Sequence, residues 1–417
     1  MTASGSSPAT AAPVQSSIAA RTLATWITLI ATVGCVFAAR ALIARGLGPT
    51  GVGLFVLMLT AAFLGGTVLS VGLPAYNASF ASKVSPAVLL SNSIAWNAVA
   101  AVVLAATCIP ALLSPAIPLN WKMIILGVLM APFTALLEST RGIFQGMSAM
   151  RPYNWLGLLS GLINVGAVST LVATSRLNLE TAVGCWVGAT VLSAVIAIWL
   201  GSRQAGGLQP VDRQVLFGSL RFGGQAWLSQ LTGLINFRIA LLLTEWLLGT
   251  AAVGLYGIAV TIAELLFYFP NSLAIVSSAR YAAATPAEAR ALLARSARWV
   301  VLISTTTALA IALAARFAIR IVFGPSYAES ADILMIILPG VVAYTPIAVV
   351  TWYFNAHVNK PIVNLVIAGF SATLNGSLTL LWAPRYGLAG VAWATTTAYV
   401  AASLFSIIMI RRNAPSS

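Results

Sequence analysis

The sequence predicts an all-α integral membrane protein with about twelve transmembrane helices, arranged as two six-helix lobes related by a parallel pseudo-two-fold repeat. Three observations carry that expectation: the composition, the spacing of the apolar runs, and a turn-and-helix motif that recurs half a chain later. Hydrophobic residues make up 59% of the 417 positions and charged residues 7%, with a mean hydropathy of +0.95. So few charged side chains cannot cover a water-facing surface, so lipid must serve as the solvent for most of the chain.

Crossing the hydrocarbon takes about 20 predominantly apolar residues per helix. Runs of that length, separated by Gly, Pro or charge, fall near 18–42, 51–74, 88–112, 121–144, 153–174, 180–200, 219–244, 250–275, 297–322, 330–354, 361–382 and 387–410. The opening "MTASGSSPATAAPVQSS" lacks the basic start of a secretion signal, and its Ser/Thr/Pro/Ala composition reads as a disordered cytoplasmic tail over 1–17. The expected lobes are 18–205 and 206–412. Between them, "VDRQVLFGSLRF" (211–222) reads as an amphipathic interfacial linker. Thr285, Pro286 and Glu288 take the N-cap, N1 and N3 positions of a strong helix start.

Basic residues in short loops resist translocation. With the N-terminus inside, the cytoplasmic side receives fourteen of the 22 Lys and Arg, the other side seven, and Arg238 stays within a span. The net charge of +14 is therefore mainly a topology signal. The cations are scattered over short loops, which argues against a nucleic-acid partner.

The repeat pairs Leu47, Gly48, Val52, Gly53, Leu54 and Phe55 with Leu248, Gly249, Val253, Gly254, Leu255 and Tyr256. Both copies lie between the first and second helix of a six-helix half. A weaker echo pairs Arg151-Pro152 with Lys360-Pro361, followed by Asn164 and Asn375. Six is even, so both halves enter the membrane in the same direction. That is the arrangement of carriers that bind between lobes and alternate access by rocking.

Six stretches in order, "ARGLGPTGVGLF", "QGMSAMRPYN", "AVGLYGIA", "FGPSYAESADILMIILPG", "NAHVNKP" and "LTLLWAPRYGLAGVAWAT", resemble the polysaccharide-exporter branch of the multidrug/oligosaccharidyl-lipid/polysaccharide transporters, which includes the Wzx-type O-antigen flippases. The resemblance spans about 40–410. It implies two six-helix lobes around a central cavity and a substrate built of oligosaccharide on polyprenyl pyrophosphate. It also implies residence in the bacterial cytoplasmic membrane and a pathway shared with glycosyltransferases and a polysaccharide polymerase. Members of the branch often carry an acid about nine positions before the second-half LG turn. Here Ala240 and its neighbours are apolar, while Arg238 fits the pattern. Twelve helices rather than fourteen argue against the lipid II flippases of the same superfamily. A first helix without Asp or Glu argues against its drug/cation antiporters, which remain the alternative.

A pyrophosphate head group leaving water needs cations, polar groups and aromatic faces along its path. Intramembrane charges are costly and face a partner or a wet cavity. Three lie well inside the expected spans: Glu138, Arg238 and Glu264. Arg238 is a candidate phosphate contact or gate, with a salt bridge to Glu264 or Glu245 as the structural alternative. Asn236, Gln230 and Gln225 share its helix and, with Arg40 and Arg45, complete the cavity candidates. Glu264 is the coupling-ion candidate. Glu138 and Arg141, at i,i+3 spacing, read as a structural pair.

A membrane-embedded glycan ligase or polymerase would need acids or His in a sizeable outer loop. The chain has no DxD, one His (His357), three isolated cysteines and no GxxxxGK. No enzyme activity, metal or cofactor is expected.

Overall fold

The computed structural model describes residues 12–413, with side chains from residue 27 onward except those of residues 225, 226, 275, 276, 278, 279 and 282. Every described element is helical: α1 Ala12–Ser70, α2 Leu73–Phe80, α3 Pro86–Leu113, α4 Leu119–Gly146, α5 Met150–Ala173, α6 Leu179–Ala205, α7 Arg213–Leu248, α8 Thr250–Ala263, α9 Tyr268–Ala283, α10 Pro286–Val322, α11 Ala328–Tyr344, α12 Ile347–Trp352 and α13 Ile362–Arg412. Short 3-10 turns cover Glu264–Phe267 and Pro325–Tyr327, and a π turn covers Tyr353–His357.

Among the described residues, ten helical segments are long and apolar enough to span a membrane. Two of them, within α1 and α13, are each broken by a glycine in positive φ, Gly48 and Gly387. Divided there, they give the twelve passes expected from the apolar runs. Residues 1–11 of the expected tail lie outside the described residues, and α1 begins at Ala12 within that tail.

By proximity the chain groups into two units. One holds the residues up to Leu42, Leu73–Ala98 and Phe133–Arg221, and the other Ile43–Gly72, Val99–Pro132 and the residues from Phe222 on. In the first unit small residues bring backbones together: a Cβ on Gly142 or Gly146 would collide with the carbonyl oxygen of Pro74 or Ala78. Buried Asn77 links three helices there, its Nδ2 donating to Ser93 Oγ at 3.2 Å and to the Ser139 carbonyl at 3.0 Å. The stretch before α7 is fastened to α3. Gln209 N–H donates to Ser91 Oγ, and Asn92 exchanges two 3.0 Å bonds with the backbone of Asp212. The Asp212 carboxylate in turn accepts from the N–H groups of Gln214 and Val215, capping α7.

In the second unit the repeated motif packs against its own copy. Gly48 (φ 66°, ψ −178°) and Gly249 (φ 85°, ψ 175°) take matching conformations that side-chain-bearing residues avoid. Beyond them, a Cβ on Gly53 would fall on the carbonyl oxygen of Thr250, and a Cβ on Gly254 on that of Pro49. Gly53 and Gly254 are equivalent positions of the repeat, as are Pro49 and Thr250, so the contact is reciprocal. Lipid supplies no hydrophobic drive between helices, and close approach through glycine is how such a crossing gains packing.

The second unit is also joined by polar contacts. Arg45 donates through Nε to the Val322 carbonyl at 3.0 Å and through Nη2 to that of Ile321, and Tyr327 Oη donates to the Ala44 carbonyl at 3.1 Å. Asn120 Nδ2 and Thr250 Oγ1 both donate to Glu245 Oε1 at 2.9 Å. The start of α10 is the box read from sequence, with Thr285 and Glu288 capping each other reciprocally and Pro286 at N1.

Gly53→Ala or Gly254→Ala is expected to cost about 1–3 kcal/mol by overpacking a backbone contact that cannot yield. Gly233→Ala, with nothing near the added methyl, should leave the protein as stable as before or more so. Thermal unfolding of the three variants in detergent, with recovery on size-exclusion chromatography, checks both expectations.

Candidate functional site

Within the second unit, α7 brings Leu234, Phe237 and Arg238 to a cavity of about 340 Å³ whose other wall is made by two interrupted helices. One interruption is the 3-10 turn Glu264–Phe267 between α8 and α9. Pro270 explains its place: it falls in the first turn of α9, where a missing N–H leaves no intrahelical bond unmade. The second lies between α11 and α12 at Thr345 and Pro346. Pro346 cannot donate to the Val342 carbonyl four residues back, and Thr345 Oγ1 does so instead at 2.8 Å. Glu264, Phe267, Tyr268 and Asn271 from the first interruption and Tyr344, Thr345 and Ala348 from the second line the cavity together, with the Phe267 and Tyr344 rings in edge contact. Non-helical backbone at membrane depth is tolerated where it lines such a space, and mid-helix 3-10 and π turns mark sites of function.

Arg238 Nη1 donates to Glu264 Oε1 at 2.8 Å, and these two are the charged residues of the lining. Their side chains keep 22% and 29% of their surface open. The contact is single rather than forked, so Arg238 retains donors that no described residue occupies. Around the pair, Phe237 sits edge-on to Phe267 and Tyr344 at 5.3 and 6.0 Å, and Tyr344 lies 4.5 Å from Tyr399. The arrangement combines fixed opposite charges with aromatic faces, which suits a ligand carrying an anionic group beside a ring-shaped one.

The other candidates read from sequence fall elsewhere. Asn236 is buried on another face of α7, where its Nδ2 donates to Tyr344 Oη at 3.1 Å, so it supports a wall residue without lining the cavity. Gln230 is exposed, and the side chain of Gln225 lies outside the described ones. The lining is drawn from residues 234–348, which leaves out Arg40 and Arg45. Arg45 binds carbonyls at the C-terminal end of α10, groups that no helix can satisfy internally. Arg141 meets Glu138 at 2.9 Å and lies 4.6 Å over the Tyr153 ring. Glu245, the other expected partner for Arg238, is held by Asn120 and Thr250.

Sequence reasoning passed over Phe237, Phe267 and Tyr268. The signal was present in "ELLFYFPN" (264–271), where three aromatics follow an intramembrane acid and precede a proline.

The fold and site thus define a multi-pass, all-helical membrane protein with a partly exposed ion pair between α7 and an interrupted helix. The polysaccharide biosynthesis protein family matches residues 19–277, and the chain belongs to that family. No curated protein matches the sequence. Among solved structures, an inward-facing multidrug resistance MATE family transporter of the MOP superfamily is similar over 93% of this chain and 96% of its own, with a TM-score of 0.74 at 15% identity. The lipid II flippase MurJ, in an inward closed conformation, matches over 93% of this chain and 87% of its own, with a TM-score of 0.71 at 13% identity. A MOP superfamily transporter from Pyrococcus furiosus, described as having a binding pocket of reverse polarity, gives 0.59 at 14% identity over 92% and 94% of the two chains. The chain thus shares its fold with these proteins, which are transporters and a flippase.

Replacing Arg238 by Ala strands Glu264 without its partner, and Glu264→Gln relieves the stranded charge. A double-mutant cycle of Arg238→Ala and Glu264→Gln, read by thermal or denaturant unfolding in detergent, is expected to show a favourable coupling of about 0.5–3 kcal/mol. A cycle of Gln230→Ala with Glu264→Gln should show none.

Proposed function

We propose that the chain is a flippase that moves polyprenyl-pyrophosphate-linked oligosaccharide outward across the bacterial cytoplasmic membrane during assembly of O-antigen, capsule or exopolysaccharide. The observation that carries this reading is the Arg238–Glu264 pair among aromatic rings, in a chain of the polysaccharide biosynthesis family. Arg238 supplies the guanidinium that a phosphate prefers, with donors to spare. Phe237, Phe267 and Tyr344 offer faces against which a sugar ring can pack. At about 340 Å³ the cavity suits the head group and the nearest sugar rather than a whole lipid-linked oligosaccharide, so the polyprenyl chain stays in the bilayer.

Both termini are proposed to be cytoplasmic, from the excess of Lys and Arg on that side. The reading places the protein beside glycosyltransferases that supply its substrate and a polymerase that consumes it. The alternative is a drug/cation antiporter, in which Glu264 would receive the cation. Arg238 at 2.8 Å argues against it, because the carboxylate is already neutralised.

Two phosphate charges leaving a negative-inside cytoplasm travel down the membrane potential, worth about 2.3 kcal/mol per charge per 100 mV. In vesicles of defined orientation, a potassium/valinomycin potential with no pH or sodium gradient is expected to accelerate flipping of lipid-linked oligosaccharide in the outward sense. In cells, Arg238→Ala should abolish export while the protein remains folded, and Arg238→Lys should recover part of it as a point charge without the fork. Full export by Arg238→Ala would overturn the assignment. Transport of a lipophilic cation with no movement of lipid-linked sugar would establish the antiporter instead.

A further inference from the structure

We propose that Glu264 is a built-in stand-in for the substrate's phosphate, holding Arg238 while the cavity is empty and giving it up when the anion arrives. The inference rests on the reading of Arg238 as the phosphate contact.

Four features of the site point to exchange rather than to a permanent structural bridge. The pair lines an open cavity and keeps 22% and 29% of its side-chain surface accessible, so an incoming group can reach it without unfolding anything. It is joined by one hydrogen bond, through Nη1 and Oε1, which leaves further Arg238 donors and the second Glu264 oxygen for an approaching ligand. Glu264 stands at the first position of a 3-10 turn rather than within regular α-helix, where the backbone is less tightly held. Finally, a place exists for the displaced carboxylate: Asn271, seven residues further along the same interrupted helix, lines the same cavity and carries amide donors.

The charge balance gives the exchange a purpose. With Glu264 on Arg238 the empty lining carries no net charge, so the empty carrier can return without moving a bare guanidinium through the membrane field. With phosphate on Arg238 the cation is again compensated, this time by cargo. Glu264 therefore competes with substrate, which weakens binding while it hastens release and return.

The test uses the purified full-length protein in lipid nanodiscs, with farnesyl pyrophosphate, inorganic pyrophosphate and farnesol as probes and folding verified by size-exclusion chromatography and thermal melting. Glu264→Gln is expected to bind farnesyl pyrophosphate about tenfold more tightly than the unaltered protein, since the ligand no longer displaces a carboxylate. Arg238→Ala and the double variant Arg238→Ala/Glu264→Gln should both lose that binding. In reconstituted vesicles Glu264→Gln should complete a first round of flipping but slow in repeated rounds.

In the unaltered protein, infrared difference spectra on adding farnesyl pyrophosphate should show a carboxylate band that shifts in Glu264→Asp. This measurement stands even where Glu264→Gln fails to fold. Equal affinity of the unaltered and Glu264→Gln proteins, or a spectrum without the carboxylate change, overturns the exchange and leaves the phosphate reading intact. Binding of farnesol as tightly as farnesyl pyrophosphate, or binding indifferent to Arg238→Ala, overturns the phosphate reading itself. Competition by inorganic pyrophosphate assigns recognition to the diphosphate group, and its failure overturns a phosphate-centred exchange.

Discussion

The contact on which the second unit depends is the reciprocal crossing of Gly53 with the Thr250 carbonyl and Gly254 with that of Pro49. In lipid, helices gain little by hiding apolar surface from one another, so their registration comes from close packing and from hydrogen bonds that have no water to compete with them. A backbone crossing between equivalent glycines supplies the first and admits no sliding. Neighbouring bonds then follow in register: Ser330 Oγ donates to the Leu255 carbonyl at 2.9 Å, and Tyr256 Oη meets Thr395 Oγ1 at 2.8 Å, with Thr395 continuing to buried Asn375. The motif is repeated because the two copies are each other's packing partners.

From that fixed end the same helices run to the cavity, where regularity is given up. Every backbone group released by a broken helix must find a partner inside the protein. At the α11–α12 break Thr345 supplies one, and at the α8–α9 break the proline sits where no bond is lost. The two interruptions are thus tolerated at low cost and deliver Glu264 and Tyr344 to one space. An unpaired Arg at this depth would be expensive, and so would an unpaired Glu. Placed 2.8 Å apart, they satisfy one another while remaining open to exchange. Stability and proposed function therefore draw on the same ion pair.

Much was legible in the linear sequence. Apolar runs gave twelve passes, because a span of hydrocarbon demands a fixed length of apolar helix. The capping box at Thr285 was readable for a similar reason, since it depends only on side chains three residues apart. The Glu138–Arg141 contact is local in the same sense. The repeat was visible as text, although its partner surface was not. The three intramembrane charges announced themselves by their cost.

What the tertiary structure decided is which of those features meet. Arg238 had two possible partners, and Glu264 takes it while Glu245 is drawn to Asn120 and Thr250. Arg45 looked like a cavity cation, yet it serves the carbonyls of Ile321 and Val322, 276 and 277 residues away. Asn236 shares a helix with Arg238 but turns to another face. The aromatic wall of Phe237, Phe267 and Tyr344 joins three distant stretches that no local pattern connects. Helix length, caps and neighbouring charges follow from bonds within a few residues, which a sequence displays. The pairing of an intramembrane charge follows from the rotation and register of packed helices, which close contacts such as that between Gly53 and Thr250 set only once the chain is folded.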